Sequence, residues 1–203
     1  MTDQPGPTVR RGRLVAALLL VLMAAPACAL DLPDLMTLLA QQRGGEAGFS
    51  EQRFVKGLER PLSASGTLTF AVPDRFVRKT LKPRLETMAV EGNTITMTRG
   101  GRSRTFTLDA APEMVAIIEA FRGTLTGNIQ TLQRYFTPAL AGSADDWTLN
   151  LAPLEPALAG RIRSIRIGGH GAAVNRFEIQ LADGDRSLMT IQPVRPAAAA
   201  PTP

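Results

Sequence analysis

The fold is decided by residues 49–97, and most plainly by the nine residues 62–70, LSASGTLTF. Apolar residues and glycine alternate there with serine and threonine. Successive side chains of a β-strand point to opposite faces of the sheet, so this period of two predicts a strand with one buried face. The same alternation returns on both sides of Glu91-Gly92-Asn93, a turn-forming cluster that predicts a hairpin.

Further strands are predicted in the second half of the chain. Short runs of the same kind lie at 147–151, 163–167, 176–181 and 187–191. Many short strands separated by turns, with two amphipathic helices between them, predict a strongly curved antiparallel sheet whose concave face is covered by the helices.

Three helices are predicted from capping residues and apolar spacing. Asp34 is expected to cap a short first helix, Pro112 to open a second that ends at Gly123, and Asn128 to cap a third. Apolar residues on one side of the second and third helices form a predicted lid: Met114, Ile117, Ile118, Phe121, Ile129, Leu132 and Phe136. On spacing alone, the same residues fit an ordinary core better than a lid.

The N-terminal residues predict a secretory signal peptide over 1–29. Three arginines precede an apolar run from Leu14 to Ala25, which is shorter than the about 20 residues that a membrane-spanning helix needs. Cleavage is expected after Ala29, with an uncleaved anchor as a minor alternative. Cys28 could instead carry the lipid of a lipoprotein, but the residues before it form a poor lipobox.

The mature chain is expected to be one domain, 30–193, followed by a disordered tail rich in alanine and proline, 194–203. It contains no cysteine, so its core must hold without a disulfide. Removing 1–29 takes away three Arg and one Asp, so the net charge falls from +5 to +3. With few aromatic residues in the basic stretches, no nucleic-acid partner is expected.

The sequence offers no group of residues that predicts an enzyme. The single histidine, His170, stands among glycines in a predicted turn, and no Gly-x-Ser-x-Gly or His-Glu-x-x-His motif occurs. With one histidine and no mature cysteine, neither a metal site nor a cofactor is expected. A hydrolase that uses serine or aspartate is therefore the least favoured of the functions considered.

Four motifs stand in a fixed order along the mature chain. They are Phe49 to Arg53, Pro61 to Phe70, Pro73 to Phe76 with Pro83 ten residues after the first proline, and Val90 to Asn93. In order and spacing they resemble the periplasmic outer-membrane lipoprotein carrier family, the LolA-like proteins. The resemblance implies an unclosed antiparallel β-barrel with a helical lid over a hydrophobic cavity, and non-enzymatic carriage of acylated cargo through the periplasm.

The resemblance and the strand alternation together give a predicted cavity lining. Phe76 matches a cavity aromatic of the family. The full set is Phe49, Leu68, Phe70, Phe76, Met88, Val90, Ile95, Met97 and Phe106. The flexible side chains of methionines such as Met88 and Met97 suit a cavity that must also release its cargo, although they fit a core equally well.

The resemblance also implies the partners. These are an acylated lipoprotein or another lipid as cargo, an inner-membrane export complex as donor and an outer-membrane receptor as acceptor, with the carrier itself a monomer. A membrane-anchored receptor or a lipid-sensing regulator on the same fold is the alternative.

Two positions depart from the family pattern. The family carriers have an arginine before the first proline and an aromatic residue five positions after it, where this chain has Val72 and Arg78. The family arginine is associated with holding the lid closed, and Arg75 and Arg78 are the candidates to replace it. Because of these two departures, the resemblance does not decide whether the cargo is a lipoprotein or another acylated or polyene-type lipid.

Overall fold

The computed structural model describes residues 30–42, 44–110 and 112–193, together with Thr2. The rest of the predicted signal peptide and the predicted tail, 194–203, lie outside the described residues. Within them the chain forms eleven strands and four α-helices. In order these are α1 (Leu32–Leu39), β1 (Gly44–Phe54), β2 (Leu62–Ala71), β3 (Arg75–Lys82), β4 (Glu86–Glu91), β5 (Thr94–Arg99), β6 (Arg102–Thr107), α2 (Pro112–Leu125), α3 (Ile129–Gln133), β7 (Phe136–Ser143), β8 (Asp146–Pro153), α4 (Pro156–Ala159), β9 (Ile162–His170), β10 (Ala173–Leu181) and β11 (Arg186–Pro193).

All eleven strands belong to one antiparallel sheet that does not close. Their order is β6-β5-β4-β3-β2-β1-β11-β10-β9-β8-β7, so the first and last strands of the chain pair at the centre and β6 and β7 form the edges. The fold predicted from the sequence, a curved and unclosed antiparallel sheet with helical insertions, is confirmed.

The position of the helices follows from this strand order. The chain leaves the sheet at the edge strand β6 and returns at the opposite edge strand β7, and residues 108–135 connect the two. A connection between opposite edges of a curved sheet has to cross its open side. Helices α2 and α3 therefore lie over the concave face, where the buried apolar residues of the sheet also lie.

The register places the alternating apolar residues in rows across the concave face. One row runs through Phe70, Phe76, Val90, Ile95 and Phe106, which pair in turn across β2 to β6. The next row runs through Leu68, Arg78, Met88, Met97 and Arg104. Because every second residue of a strand faces the same side, the pattern of 62–70 fixes the inner face of the sheet.

One of the two predicted helix caps needs correction. Helix α1 begins one turn earlier than predicted, because Asp31 caps it and its carboxylate accepts the Asp34 N–H at 2.8 Å. The prediction of Asp34 as the cap was therefore wrong. The Asn128 cap of α3 is confirmed, since the Asn128 side chain accepts the Thr131 N–H at 3.1 Å.

Helix α2 does not end at Gly123 as predicted but continues to Leu125. Gly123 instead allows α3 to approach closely, because a Cβ at that position would lie 2.8 Å from the Leu132 side chain. The chain turns out of the helix at Gly127, whose φ of +63° is a left-handed conformation that favours glycine.

Two further residues lie in strands where the sequence predicted other structure. Phe136, assigned to the helical lid, is the first residue of β7 and is completely buried in the core. His170, predicted in a turn, is the last residue of β9 and is exposed. Strand β7 was not predicted, because its sequence does not alternate clearly. Helix α4 was not predicted, because its four residues are too few to show a helical period.

Candidate functional site

An apolar cavity lies between the concave face of the sheet and helix α2. Its volume is about 220 Å³. The sheet contributes apolar side chains from β1, β2, β3, β9, β10 and β11, and α2 closes it with Phe121, Thr124 and Leu125. The apolar side chains from the sheet are Ala47, Leu68, Phe70, Phe76, Ile167, Val174, Phe177 and Ile191.

Three aromatic rings attach α2 to the wall of this cavity. The Phe121 ring stacks on Phe177 of β10 with 3.7 Å between the centroids, and it lies 5.3 Å from the ring of Phe76 on β3. Phe121 thereby bridges the two halves of the sheet across the concave face. A smaller gap of about 10 Å³ beside Phe76 and Phe121 is lined by Ile118 and Arg122 as well.

Arg122, one residue after Phe121, attaches α2 to the turn between β2 and β3 and to the turn between β4 and β5. The Arg122 guanidinium donates to the carbonyls of Gly92, at 2.8 Å, and Asp74, at 3.2 Å, and Glu119 one turn earlier accepts from it at 2.5 Å. Arg122 is 16 % exposed, so these bonds are largely shielded from water. We call these two bonds from Arg122 to the sheet the lid contact.

Neither candidate for the family's lid arginine makes such a contact. Arg78 lies on the concave face, pairs with the buried Glu51 of β1, and stacks over the Phe49 ring at 4.7 Å. The other oxygen of Glu51 accepts from Ser187. Arg75 is exposed at the start of β3. The sequence offered no way to see that a helix residue, Arg122, would bind the turn at Asp74.

The structure brings part of the predicted cavity lining together. Leu68, Phe70 and Phe76 line the cavity from the sheet, Phe121 lines it from the predicted lid, and Ile118 lines the smaller gap. These five stay predictions as ligand contacts, because a cavity shows where a ligand fits and not that one binds.

The other predicted residues lie elsewhere. Phe49, Val90, Ile95, Leu132 and Phe136 are buried in the packed core, and Met88, Met97, Met114, Ile117 and Ile129 pack against it. Phe106 lies on the edge strand β6 with 36 % of its surface exposed. These side chains therefore support the cavity rather than line it, as the ordinary-core interpretation expects for most of the helix residues.

Half of the cavity wall was missed by the sequence analysis. Ile167, Val174, Phe177 and Ile191 come from the C-terminal strands, and their alternation did predict strands there. What a single sequence does not show is that β11 pairs with β1, which places these strands opposite Phe70 and Phe76.

The described residues show no arrangement suited to metal binding, since no group of three or more His, Cys, Asp or Glu side chains comes together in 30–42, 44–110 and 112–193. His170 and Asp145 approach to 3.9 Å, with both side chains mostly exposed. Among the helices in the part of the chain that the structure describes, none has the length and hydropathy to cross a membrane.

An open, curved antiparallel sheet with a helix over an apolar cavity is the architecture of a lidded binding protein. The comparison with protein families agrees with this class. Residues 24–202 match the family described as outer membrane lipoprotein carrier protein LolA-like, and the chain belongs to this family. That family is one of carriers and binding proteins rather than enzymes.

The solved structures that match this chain share little sequence with it. A LolA superfamily protein from Nitrosomonas europaea is 8 % identical, with a TM-score of 0.47 over 84 % of this chain and 96 % of that protein. A DUF1329 family protein from Desulfovibrio piger is also 8 % identical, with a TM-score of 0.46 over 83 % and 92 %. The lipoprotein LppX of Mycobacterium tuberculosis is 10 % identical, with a TM-score of 0.39 over 79 % and 94 %. No curated protein sequence gives a significant match.

Proposed function

We propose that this protein is a periplasmic carrier that binds the acyl chains of a lipoprotein, or of a related lipid, in the cavity under α2 and moves them from the inner to the outer membrane. The observation that carries the proposal is the cavity itself, whose walls are formed mainly by apolar side chains from the concave face and α2. Membership of the LolA-like family supports the same function.

The energetic need for such a carrier is large. Each exposed methylene costs about 0.8 kcal/mol, so a chain of sixteen carbons costs about 12 kcal/mol in water. A cavity that shields part of such a chain removes a corresponding part of this cost without any covalent chemistry. Carriage therefore needs an apolar wall and a route in and out, and no catalytic group.

The size of the cavity indicates that α2 must move during loading. A cavity of about 150 Å³ holds a ligand the size of benzene, so about 220 Å³ holds only a segment of a long acyl chain. A cargo with two or three such chains needs more space than this cavity offers. Displacing α2, which is attached at this end by Phe121 and the lid contact, would open the concave face.

The partners follow from the direction of transport. An export complex in the inner membrane would load the carrier, and a receptor at the outer membrane would receive the cargo. The protein would work as a monomer, because the concave face is covered by its own helices.

Mass spectrometry of the protein isolated from its native periplasm tests the proposal. We expect a chain that begins at Leu30, carries no covalent lipid, and brings an acylated molecule with it when measured under native conditions. A diacylated Cys28 would contradict the soluble carrier and favour an anchored receptor. A protein that carries no lipid and also takes up no fluorescent acyl probe would contradict the proposal.

The non-enzymatic part of the proposal has a separate test. Bound lipid should be recovered chemically intact after prolonged incubation, and His170→Ala should bind and transfer it as the wild type does. Turnover that is lost on changing one polar residue, in a variant that remains folded, would favour a hydrolase instead.

A further inference from the structure

One polar side chain in the wall of the cavity is buried with its hydrogen-bonding capacity unused. Thr124 of α2 lines the cavity beside Phe121 and Leu125 and is only 1 % exposed. Its hydroxyl oxygen has no hydrogen-bond partner among the residues that the structure describes. A buried hydroxyl without a partner is unfavourable, so its presence in an apolar wall needs an explanation.

Two other threonines, one in α1 and one directly after α2, show the usual solution. The Thr126 hydroxyl donates to the Arg122 carbonyl at 2.7 Å, and the Thr37 hydroxyl donates to the Pro33 carbonyl at 3.0 Å. Both bonds reach back four residues, as threonine commonly does in a helix. Thr124 makes no such bond to the carbonyl of Ala120, four residues before it. Valine has nearly the shape of threonine and would fill the same space without an unpaired group.

We propose that, when α2 moves to admit the cargo, the Thr124 hydroxyl becomes accessible and donates a hydrogen bond to a carbonyl oxygen of the cargo, at the ester or amide that links an acyl chain to the rest of the lipid. The inference rests on the proposed function, because it names the chemical group that the same cavity recognises. The acceptor is neutral, since α2 places Phe121 and Leu125 beside the hydroxyl and a carboxylate next to these side chains would lose its hydration without a compensating charge.

This assignment separates two kinds of cargo that the sequence left open. A polyene or other hydrocarbon chain offers no acceptor to Thr124 and leaves the hydroxyl unpaired. An ester-linked or amide-linked acyl chain pairs it and keeps its methylenes against Phe76, Phe121 and Phe177. Removing the hydroxyl should therefore weaken binding of an acyl ester relative to a hydrocarbon of the same length.

The test compares two ligands that differ in the carbonyl group, methyl hexadecanoate and hexadecane, as competitors of a fluorescent acyl probe. They are measured with the full secreted chain and with Thr124→Val, Thr124→Ser and Thr126→Val. Thr124→Ser keeps a hydroxyl at the same place, and Thr126→Val removes a hydroxyl that already has a partner. Thermal unfolding of each variant establishes that it is folded.

We expect Thr124→Val to weaken binding of the ester about three- to tenfold, the value of one neutral hydrogen bond, and to leave hexadecane binding unchanged or tighter. Thr124→Ser and Thr126→Val should keep the wild-type ratio of the two affinities. Any general effect of a variant on the cavity is common to both ligands and cancels in that ratio.

The inference is overturned if Thr124→Val changes the two affinities by the same factor, or if Thr126→Val lowers the ratio as much as Thr124→Val does. In either case the carrier function stands, because the wild type still binds an acyl chain. If the wild type binds neither competitor nor the probe, the proposed function fails as well. Should Thr124→Val not fold, Thr124→Ala takes its place, and a ratio of the two affinities that is unchanged in a folded Thr124→Ala overturns the inference.

Discussion

At the scale of single residues, the free volume under α2 depends on small side chains in the wall. Ala47 of β1 lines the cavity, and a larger residue there would point into the space that we propose the cargo occupies. Ala139 of β7 is also in a strand but is exposed and does not line the cavity, so it offers a matched control.

We expect Ala47→Leu to weaken binding of a fluorescent acyl probe at least about tenfold, because three added carbons occupy part of a cavity of about 220 Å³. Its free energy of unfolding should stay within about 1 kcal/mol of the wild type, since the side chain enters empty space. Ala139→Leu should change neither quantity. Unchanged probe binding by a folded Ala47→Leu would show that the ligand lies elsewhere.

The lid contact makes a second prediction at this scale. Arg122→Gln removes two hydrogen bonds from a guanidinium to the carbonyls of Asp74 and Gly92. Each hydrogen bond of a charged group contributes about 1.5–3 kcal/mol. The ion pair with Glu119 is lost together with the two bonds, so the free energy of unfolding should fall by at least about 1.5–3 kcal/mol. Opening of α2 should become easier, and a bound probe should leave faster.

Denaturant unfolding and stopped-flow release of the probe measure the two effects. Arg134→Gln is the control, because Arg134 follows α3 and is exposed. Wild-type release by Arg122→Gln, together with a clear loss of stability, would show that the lid contact stabilises the fold without governing release.

At the scale of elements, the curvature of the sheet requires a close approach between β2 and β3. The register between these strands shifts at Gly66, and a Cβ on Gly66 would lie 1.9 Å from the carbonyl oxygen of Lys79. Because the obstacle is backbone, the strands would have to separate to admit a side chain. A Cβ on Gly48, in the neighbouring strand β1, would lie 3.8 Å from its nearest neighbour, the carbonyl oxygen of Gln192.

We expect Gly66→Ala to lower the free energy of unfolding by more than about 2 kcal/mol and Gly48→Ala to change it by less than about 0.5 kcal/mol. Thermal or denaturant unfolding of the two variants is sufficient to compare them. Equal stabilities would mean that β2 and β3 are not pressed together at Gly66.

How far the elements could be predicted depends on how they are stabilised. The alternation in 62–70 and 94–98 predicted strands because one face is buried and the other is in water. Asp31 and Asp34 are both suitable caps for α1, and only the bond from the Asp34 N–H to the Asp31 carboxylate decides between them. The glycine at 123 predicts a helix end by its local preference, whereas its role in close packing against Leu132 depends on tertiary structure.

The candidate site was predictable only on one side of the sheet. Leu68, Phe70 and Phe76 follow from local alternation and the family resemblance. Phe177 and Ile191 oppose them through the pairing of β1 with β11, about 140 residues apart in the chain. Long-range pairing of this kind leaves no signal in a single sequence, and neither does the bond from Arg122 to the turn at Asp74.

At the scale of the whole molecule, the proposed carriage depends on movement of α2. The sheet is open, residues 108–135 cross from one edge to the other, and α2 closes a cavity too small for a complete multi-chain lipid. Loading and release therefore require α2 to move away from the sheet and return. A protein whose α2 is fixed to the sheet should hold its closed structure and carry nothing.

The most direct test fixes α2 to the turn that the lid contact already joins. Asp74→Cys and Arg122→Cys place two thiols in a mature chain expected to have no other cysteine, and a cleavable reagent that reacts with both thiols links them. Transfer of a fluorescent acyl lipid from donor to acceptor vesicles is measured before linking, after linking and after cleavage. Each single variant treated with the same reagent is the control. The account predicts that linking stops transfer and that cleavage restores it, whereas undiminished transfer by a protein whose link is verified by mass would contradict the lidded carrier.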